Sequence, residues 1–267
     1  MIRLVVSDID GTLFDSDEII TDEAVELVRK LHRHGISFSL ATGRVESMAN
    51  HFAARLGLRI PYVACNGATL VQDGKAIYRE QIKVKPLKLL ILRADAYGMS
   101  IIYSQNGIES IWRETPYILA QRERFNRYNS EHRFDPMEWE TLAIDKLTIM
   151  DDPAGGAIGQ IETECRKLGS EYGYTRYMDR SIEVVHGSAT KASGVERLVA
   201  MLGIGMDQVL FIGDHQNDVQ LIKEAGIGVA VANSTDDVKK EADYVCIGDS
   251  MDGVIEAVER FCFGENE

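Results

Sequence analysis

Both ends of the chain alternate short apolar runs with stretches whose apolar residues recur at helical spacing. Apolar runs of this length, set between helices, are typical of strands buried in a parallel sheet. These runs are residues 2–6, 36–40, 62–65, 209–212, 228–231 and 244–247. Strands that alternate with helices predict an α/β fold with a Rossmann-like, doubly wound parallel sheet.

The middle of the chain breaks this alternation. Strand-like runs are separated there by helical stretches without the regular strand-helix order of the two ends. The strand-like runs are residues 99–103, 144–150 and 181–185, and the helical stretches are residues 116–128 and 158–168. We therefore predict a discontinuous core, residues 1–81 and 186–267, into which an α+β domain of residues 82–185 is inserted.

Composition and charge argue against several classes of protein function. The formal charge of −13 disfavours nucleic acid and anionic membranes as partners. No apolar run approaches the roughly 20 residues that cross a bilayer, and the N-terminus is too short and too acidic before Asp8 for a signal peptide. We expect a cytoplasmic protein. The scattered cysteines (Cys65, Cys165, Cys246 and Cys262) predict reduced thiols without a zinc site.

Two aspartates, Asp8 and Asp10, follow the first predicted strand in the run of residues 8–12. Two positions apart on a strand, they project from one face, at the edge where parallel sheets place their sites. Paired carboxylates favour Mg²⁺, and one of them can also be a nucleophile. A calcium loop is excluded because Leu13 and Ile19 stand where its glycine and its bidentate glutamate belong. From this run alone, a solvated acidic turn stays open.

Thr42, Gly43 and Arg44 follow the second predicted strand. If a helix opens there, the hydroxyl and the backbone amides suit a phosphate oxygen, and Arg44 adds positive charge. Taken alone, these residues are better explained as an ordinary strand-to-helix turn with a threonine cap.

Asp214, Asn217 and Asp218 follow another apolar strand. If a helix starts at once, the two aspartates share one side of it. An acidic first turn is common, but carboxylates that converge on one sheet edge need a cation between them. Lys191, near a predicted helix start, is suited to screen a phosphate and Asp8. In isolation it is better explained as a solvated surface residue.

Together and in this order, these segments resemble the four motifs of the haloacid dehalogenase-like superfamily of aspartate-nucleophile phosphatases. Residues 8–12 are similar to the first motif, Thr42 to the second, Lys191 to the third, and residues 213–218 to the fourth. One departure is that Ala192 follows the lysine where the superfamily often has glycine.

Residues 41–44, 65–68 and 226–234 further resemble the Cof-type subfamily, which includes sugar phosphatases and related hydrolases of small phosphometabolites. The long interval between Thr42 and Lys191 leaves room for an insertion between the second and third motifs. That position is the one used by the subfamily with an α+β cap.

The resemblance implies a Mg²⁺-dependent phosphatase that acts on a small phosphorylated metabolite, with sugar phosphates as the expected class. Asp8 would attack phosphorus, and Asp10 would protonate the leaving oxygen and then take a proton from water. The implied metal ligands are Asp8, the backbone carbonyl of Asp10, and Asp214, with Asp218 in support. The implied phosphoryl contacts are Thr42, Gly43, Lys191 and Asn217, and the candidate substrate contacts are Arg44 and Asn66.

Other functions remain open at this point. A dehalogenase is disfavoured because halide displacement does not need a general acid at Asp10. A phosphomutase would use Asp8 and Asp10 in the same way, and a regulatory protein that binds phosphate or metal could keep the fold without the reaction. Pyridoxal phosphate and a flavin-precursor phosphate are alternative substrates to a sugar phosphate.

Overall fold

The computed structural model describes residues 1–14, 18–128, 130–151, 155–177 and 179–264. The chain forms two compact units. We call Met1–Tyr78 with Thr190–Glu267 the core, and Arg79–Ala189 the insert. The predicted inserted segment, residues 82–185, lies within the second unit.

Strands and helices alternate along the core, and the insert combines antiparallel strands with helices. The strands are β1 (Leu4–Ser7), β2 (Ser37–Leu40), β3 (Tyr62–Ala64), β4 (Thr69–Gln72), β5 (Lys75–Arg79), β6 (Ile82–Lys83), β7 (Ser100–Gln105), β8 (Ile108–Ile111), β9 (Ala143–Ile144), β10 (Lys146–Met150), β11 (Tyr172–Tyr177), β12 (Ser181–His186), β13 (Val209–Gly213), β14 (Ile227–Ala230) and β15 (Tyr244–Val245). The α-helices are α1 (Asp22–Arg33), α2 (Glu46–Leu56), α3 (Lys88–Ala96), α4 (Pro116–Phe125), α5 (Pro136–Thr141), α6 (Ile158–Cys165), α7 (Lys191–Leu202), α8 (Val219–Glu224), α9 (Asp236–Glu241) and α10 (Ser250–Val258).

The core is built around a parallel sheet with strand order β15-β14-β13-β1-β2. Strand β1 lies between β13 and β2, with Leu4 opposite Val209 on one side and Ser37 on the other. Val5 packs into the apolar cluster that contains residues of α1, α2 and α10. Leu4 packs into a second cluster, with residues of α7 and α8. Helices therefore cover both faces of the sheet, which explains why its strands are almost entirely apolar.

The third predicted strand of the core does not continue this sheet. Strand β3 pairs antiparallel with β4, and a bridge between Ala41 and Val63 joins it to the end of β2. The predicted hairpin turn at Asp73 and Gly74 is confirmed: it joins β4 to β5, and both residues have the positive φ that a tight hairpin turn requires.

The insert contains an antiparallel sheet with strand order β11-β12-β10-β7-β8. Alternate residues of β7, β10 and β12 form an apolar cluster with residues of α3 and α6. The predicted fold class, a doubly wound α/β core with an inserted α+β domain, is confirmed. Among the described residues, no helix combines the length and the apolar content needed to cross a membrane.

Candidate active site

The carboxyl ends of the adjacent strands β1 and β13 bring Asp8 and Asp214 together. Strands β1 and β13 are parallel and place Ser7 opposite Ile212. The amide of Asp8 extends this pairing by donating to the carbonyl of Ile212 at 2.9 Å. Asp8 and Asp214 therefore leave the same sheet edge, and both are buried, with 4% of Asp8 exposed.

Lys191 reaches this edge from the first residue of α7. Its Nζ donates to Asp8 Oδ1 at 2.6 Å and to Asp218 Oδ1 at 2.7 Å, and only 1% of the residue is exposed. Thr190 caps the helix, because its side chain accepts from the amide of Ser193 at 3.1 Å while Ser193 Oγ accepts from the amide of Thr190. The lysine is thus fixed at a helix start and is not a solvated surface residue.

Close backbone packing holds the start of α7 against the turn that follows β3. A Cβ on Gly67 would lie 1.9 Å from the carbonyl oxygen of Thr190, and a Cβ on Gly194 would lie 2.5 Å from Val63 Cγ1. Gly67 has a φ of 99°, in the left-handed region that favours glycine. Glycine at these two positions therefore allows the start of α7, which carries Lys191, to pack closely against this turn.

Asp218 joins the cluster by a route that the sequence did not predict. Helix α8 begins at Val219 after a 3₁₀ turn at Gln216–Asp218, so the expectation that Asp214 and Asp218 share one side of a helix is wrong. Instead, Asp218 Oδ2 accepts from the amides of Asp214 and His215, both at 3.0 Å. Its two oxygens are thereby engaged by backbone amides and by Lys191.

The turn after Asp10 is shaped to admit Asp214. Gly11 has a φ of 82°, and a Cβ there would lie 2.3 Å from Asp214 Oδ2. Thr12 Oγ1 donates to Asp214 Oδ1 at 2.9 Å. The carbonyl of Gly11 accepts from Asn233 Nδ2 at 2.7 Å and from Ser250 Oγ at 3.1 Å. Sequence reasoning missed these three side-chain contacts, although Asn233 lies in the segment with Cof-type resemblance.

One lysine faces three carboxyl groups, and this imbalance shows in the pKa values. Burial, followed by the charges of Asp218, Asp214 and Asp10, raises the pKa of Asp8 well above its ordinary range against the opposing effect of Lys191. Burial and the charge of Asp218 also raise the pKa of Asp214. Burial acts to lower the pKa of Lys191, but Asp218 and Asp8 outweigh it, so that pKa lies above its ordinary value.

The donor set fits a hard divalent cation. Oxygens of Asp8, Asp214 and Asp218 lie within 4.8 Å of one another, and all three residues are buried. Carboxylate oxygens are the ligands that Mg²⁺ takes in proteins. A cation between them would relieve the repulsion that, together with burial, raises the pKa values of Asp8 and Asp214.

Two of the predicted phosphoryl contacts, Gly43 and Asn217, lie next to Asn66. Thr42 lies between β2 and α2, and its Oγ1 accepts from the amide of Arg44 at 3.1 Å. Because α2 begins only at Glu46, the expected helix N-terminus at Gly43 is wrong. Asn217 Nδ2 donates to Asn66 Oδ1 at 2.9 Å, and a Cβ on Gly43 would lie 3.2 Å from the same oxygen. Gly43, Asn66 and Asn217 are therefore neighbours.

The carboxyl group of Asp10 points to Arg44. Arg44 Nε donates to Asp10 Oδ2 at 2.8 Å, and Arg44 Nη2 donates to Asp10 Oδ1. The side chain of Asp10 is 52% exposed, whereas that of Arg44 is 8% exposed. Arg44 Nη2 also donates to Glu18 Oε1 at 2.8 Å. Glu18 was not among the candidate residues of the sequence analysis.

A doubly wound sheet with a buried carboxylate cluster at its carboxyl edge is the arrangement of an α/β enzyme whose site lies at the strand ends. A family model for haloacid dehalogenase-like hydrolases matches residues 5–258. The chain belongs to this family and is an enzyme, a hydrolase. The resemblance inferred from the four sequence motifs is confirmed, as is the position of the α+β insertion between Thr42 and Lys191.

Relatives of known name match along almost the whole chain. A 5-amino-6-(5-phospho-D-ribitylamino)uracil phosphatase of Bacillus subtilis (strain 168) is 27% identical over 260 residues, covering 97% of this chain and 96% of the relative. A phosphoglycolate phosphatase of Methanopyrus kandleri is 30% identical over 254 residues, covering 95% and 94%. The structure of a subclass IIB sugar phosphatase of the same superfamily superposes with a TM-score of 0.79 at 22% identity, covering 97% of this chain and 98% of that one.

Proposed function

We propose that the protein is a Mg²⁺-dependent phosphatase that hydrolyses small phosphorylated metabolites through an aspartyl-phosphate on Asp8. The observation that carries this proposal is the environment of Asp8. Its buried carboxyl lies at a strand end, Lys191 Nζ holds one oxygen at 2.6 Å, and two further carboxyls lie close enough to share a cation with it.

In the first half of the reaction, an oxygen of Asp8 bonds to phosphorus as the bond from phosphorus to the leaving oxygen breaks. Asp10 gives that leaving oxygen a proton. In the second half, water attacks phosphorus and passes a proton to Asp10, while the bond between phosphorus and Asp8 breaks. Inorganic phosphate is released, and both aspartates return to their initial states.

Several residues of the chain would hold the reacting groups. Lys191 fixes the rotamer of Asp8 and presents positive charge to the phosphoryl oxygens. Thr42, Gly43 and Asn217 would contact those oxygens, and Asn66 orients the amide of Asn217 through the 2.9 Å hydrogen bond. Asp218 acts behind this layer, because its oxygens are engaged by Lys191 and by two backbone amides.

The metal would be held by Asp8, Asp214 and the backbone carbonyl of Asp10, with Asp218 in support. Bound there, Mg²⁺ supplies the positive charge that lets an anionic nucleophile approach an anionic phosphate. Thr12 and Gly11 fit this role, because the hydroxyl orients Asp214 and the glycine leaves room for its carboxylate.

The substrate class we propose is small phosphate monoesters, with sugar phosphates first. The subclass IIB neighbour is a sugar phosphatase, and the two named relatives act on a phosphorylated ribitylamino-uracil and on phosphoglycolate. All three substrates carry a phosphate on a small polar carbon skeleton. We also propose that the enzyme acts in the cytoplasm.

The test is phosphate release across a panel of sugar phosphates, phosphoglycolate, pyridoxal phosphate and flavin-precursor phosphates, with Mg²⁺ or with EDTA. We expect release that EDTA abolishes. Asp8→Asn should lower kcat at least about a thousandfold, because it removes the nucleophile. It should also abolish an acid-stable, hydroxylamine-sensitive phosphoenzyme that mass spectrometry locates on the peptide containing Asp8.

The matched control is Asp237→Asn, which changes an exposed aspartate in the first turn of α9. It should keep full turnover. Substantial activity in a folded Asp8→Asn protein would refute the nucleophile assignment. Formation of isomerised sugar phosphate in place of free phosphate would identify a phosphomutase. The absence of any reaction with every substrate of the panel would favour a protein that binds phosphate or metal without catalysis.

A further inference from the structure

Arg44 is a buried arginine whose guanidinium is held on several sides. Its Nε and Nη2 donate to the two oxygens of Asp10, and its Nη1 and Nη2 donate to the two oxygens of Glu18. Its guanidinium carbon lies 5.4 Å from the ring centre of Phe14 and 5.1 Å from that of Phe52. Aromatic rings at this distance attract the cation and restrict its plane.

Counting donors decides what Arg44 can bind. A guanidinium has five N–H donors in a fixed planar fork, and four of them are directed at carboxylate oxygens of Asp10 and Glu18. Recognition of a phosphate by an arginine normally uses two parallel N–H bonds. The one remaining donor does not offer such a pair, so the geometry argues against a direct phosphoryl contact.

The other side of Asp10 stays accessible. Its side chain is 52% exposed, although the arginine that grips it is almost fully buried. A carboxyl fixed along one edge and open on the other can meet a leaving oxygen or a water in a defined orientation. Without Arg44, the exposed side chain would be free to change rotamer.

We propose that Arg44 is a positioning residue that holds Asp10 in its acid–base orientation and does not bind the phosphoryl group. Glu18 and the rings of Phe14 and Phe52 in turn fix the guanidinium. The inference rests on the proposed function, since it assigns a partner to the acid–base group of that mechanism.

The test compares two aryl phosphates of similar shape, phenyl phosphate and p-nitrophenyl phosphate. Phenolate is the more basic leaving group and needs a proton more, so a misplaced acid harms phenyl phosphate more. In Arg44→Met, kcat for phenyl phosphate should fall about 10- to 100-fold with KM little changed. The loss for p-nitrophenyl phosphate should be clearly smaller.

A double-mutant cycle links the effect to Asp10. Asp10→Asn should show the same dependence on the leaving group, and adding Arg44→Met to it should cause little further loss, because the arginine then has nothing to position. Arg44→Lys keeps the charge but not the two-point fork, and it should show the same pattern should Arg44→Met fail to fold. Arg55→Met, which removes an exposed arginine near the end of α2, is the matched control and should leave both substrates unaffected.

Two results would overturn the inference. One is an equal loss for both substrates that appears in KM, as expected of a phosphoryl ligand. The other is full additivity of the Arg44 and Asp10 variants. The failure of the proposed function is seen separately, as retained turnover in Asp8→Asn.

Discussion

Both the core and the insert bury charged side chains, but the balance between positive and negative groups differs in the two units. In the insert, Asp145 is fully buried and accepts from Arg79 Nη1 at 2.7 Å, Gln81 Nε2 at 2.9 Å and the amide of Gly107 at 2.7 Å. Lys146 pairs with Glu183 at 2.9 Å. Each buried charge in these pairs has an opposite partner close by.

At the carboxyl edge of the core, a single lysine serves three carboxyl groups, and the pKa values of Asp8 and Asp214 are raised. A balanced buried pair needs nothing further to be stable in the fold. An unbalanced cluster is costly in the absence of a ligand, and such clusters mark functional sites. The difference in charge balance between the two clusters points to the same candidate site as the sequence motifs, and it does so without using them.

The strongest test of this contrast is to remove one lysine from each region. Lys191→Met should lower kcat for p-nitrophenyl phosphate about 100- to 1000-fold, the usual effect of losing a preorganised positive donor at the reacting group. Lys146→Met should lower stability without a comparable loss of kcat. Similar kcat losses in the two variants, with both proteins folded, would remove the functional distinction between the clusters.

The second test removes a balanced charge. Asp145→Asn removes the charge of a fully buried carboxylate to which Arg79 Nη1 donates, and we expect a loss of about 3 kcal/mol in the free energy of unfolding. Chemical denaturation measures the loss, and the exposed Asp237→Asn provides the reference. A change below about 0.5 kcal/mol, the range of surface substitutions, would contradict a structural role for the pair.

The third test adds the missing charge to the unbalanced cluster. Mg²⁺ at about 100 times its Kd should stabilise the core by about 2.7 kcal/mol, because it binds the folded state only. A thermal shift with Mg²⁺ against EDTA reports the effect. Asp214→Asn should abolish the shift, whereas Asp145→Asn should retain it. A shift of unchanged size in Asp214→Asn would place the cation elsewhere.

The smallest expected effect is on pH dependence. The pKa values of Asp8 and Asp214 are higher in the folded, metal-free protein than in the unfolded chain. As pH rises, the unfolded chain therefore loses the protons of these two carboxyl groups before the folded protein does. Their contribution to stability is present at low pH and is lost as pH rises through the folded pKa values. Mg²⁺ must displace those protons, so its apparent affinity should rise with pH, by at most about tenfold per pH unit for each proton displaced. Titrations with Mg²⁺ at about pH 5 and about pH 8 measure its apparent affinity under the two conditions. Equal affinities at the two pH values would contradict the prediction.

Sequence patterns predicted the parts of the site that the backbone alone determines. Asp8 and Asp214 converge because apolar strands end just before them, and strand ends in a parallel sheet share an edge. The return of Asp218 to the amides of Asp214 and His215 depends on a 3₁₀ turn that an apolar-polar pattern does not reveal. The start of α2 was predicted near Gly43 but lies at Glu46, because an apolar-polar pattern does not reveal the first residue of a helix either.

The side-chain partners were the least predictable part. Glu18 lies 26 positions from Arg44, and Asn66 lies 151 positions from Asn217, so no local spacing connects either pair. Arg44 was predicted as a candidate substrate contact, and its pairing with the carboxylates of Asp10 and Glu18 was not predicted. The roles assigned to the individual site residues stay predictions until the variants above are measured.

The position of β1 between β2 and β13 has a consequence for biosynthesis. The whole insert follows β1 and β2 in the chain and precedes β13, so β1 is first synthesised with only one of its two sheet neighbours. The nascent chain therefore carries Asp8 through the synthesis of the insert without Lys191 or Asp214. Because domains generally fold as units, we expect the insert to be able to fold before the sheet of the core is complete. The cluster of Asp8, Asp214 and Asp218 would form only after the chain has been synthesised past Asp218.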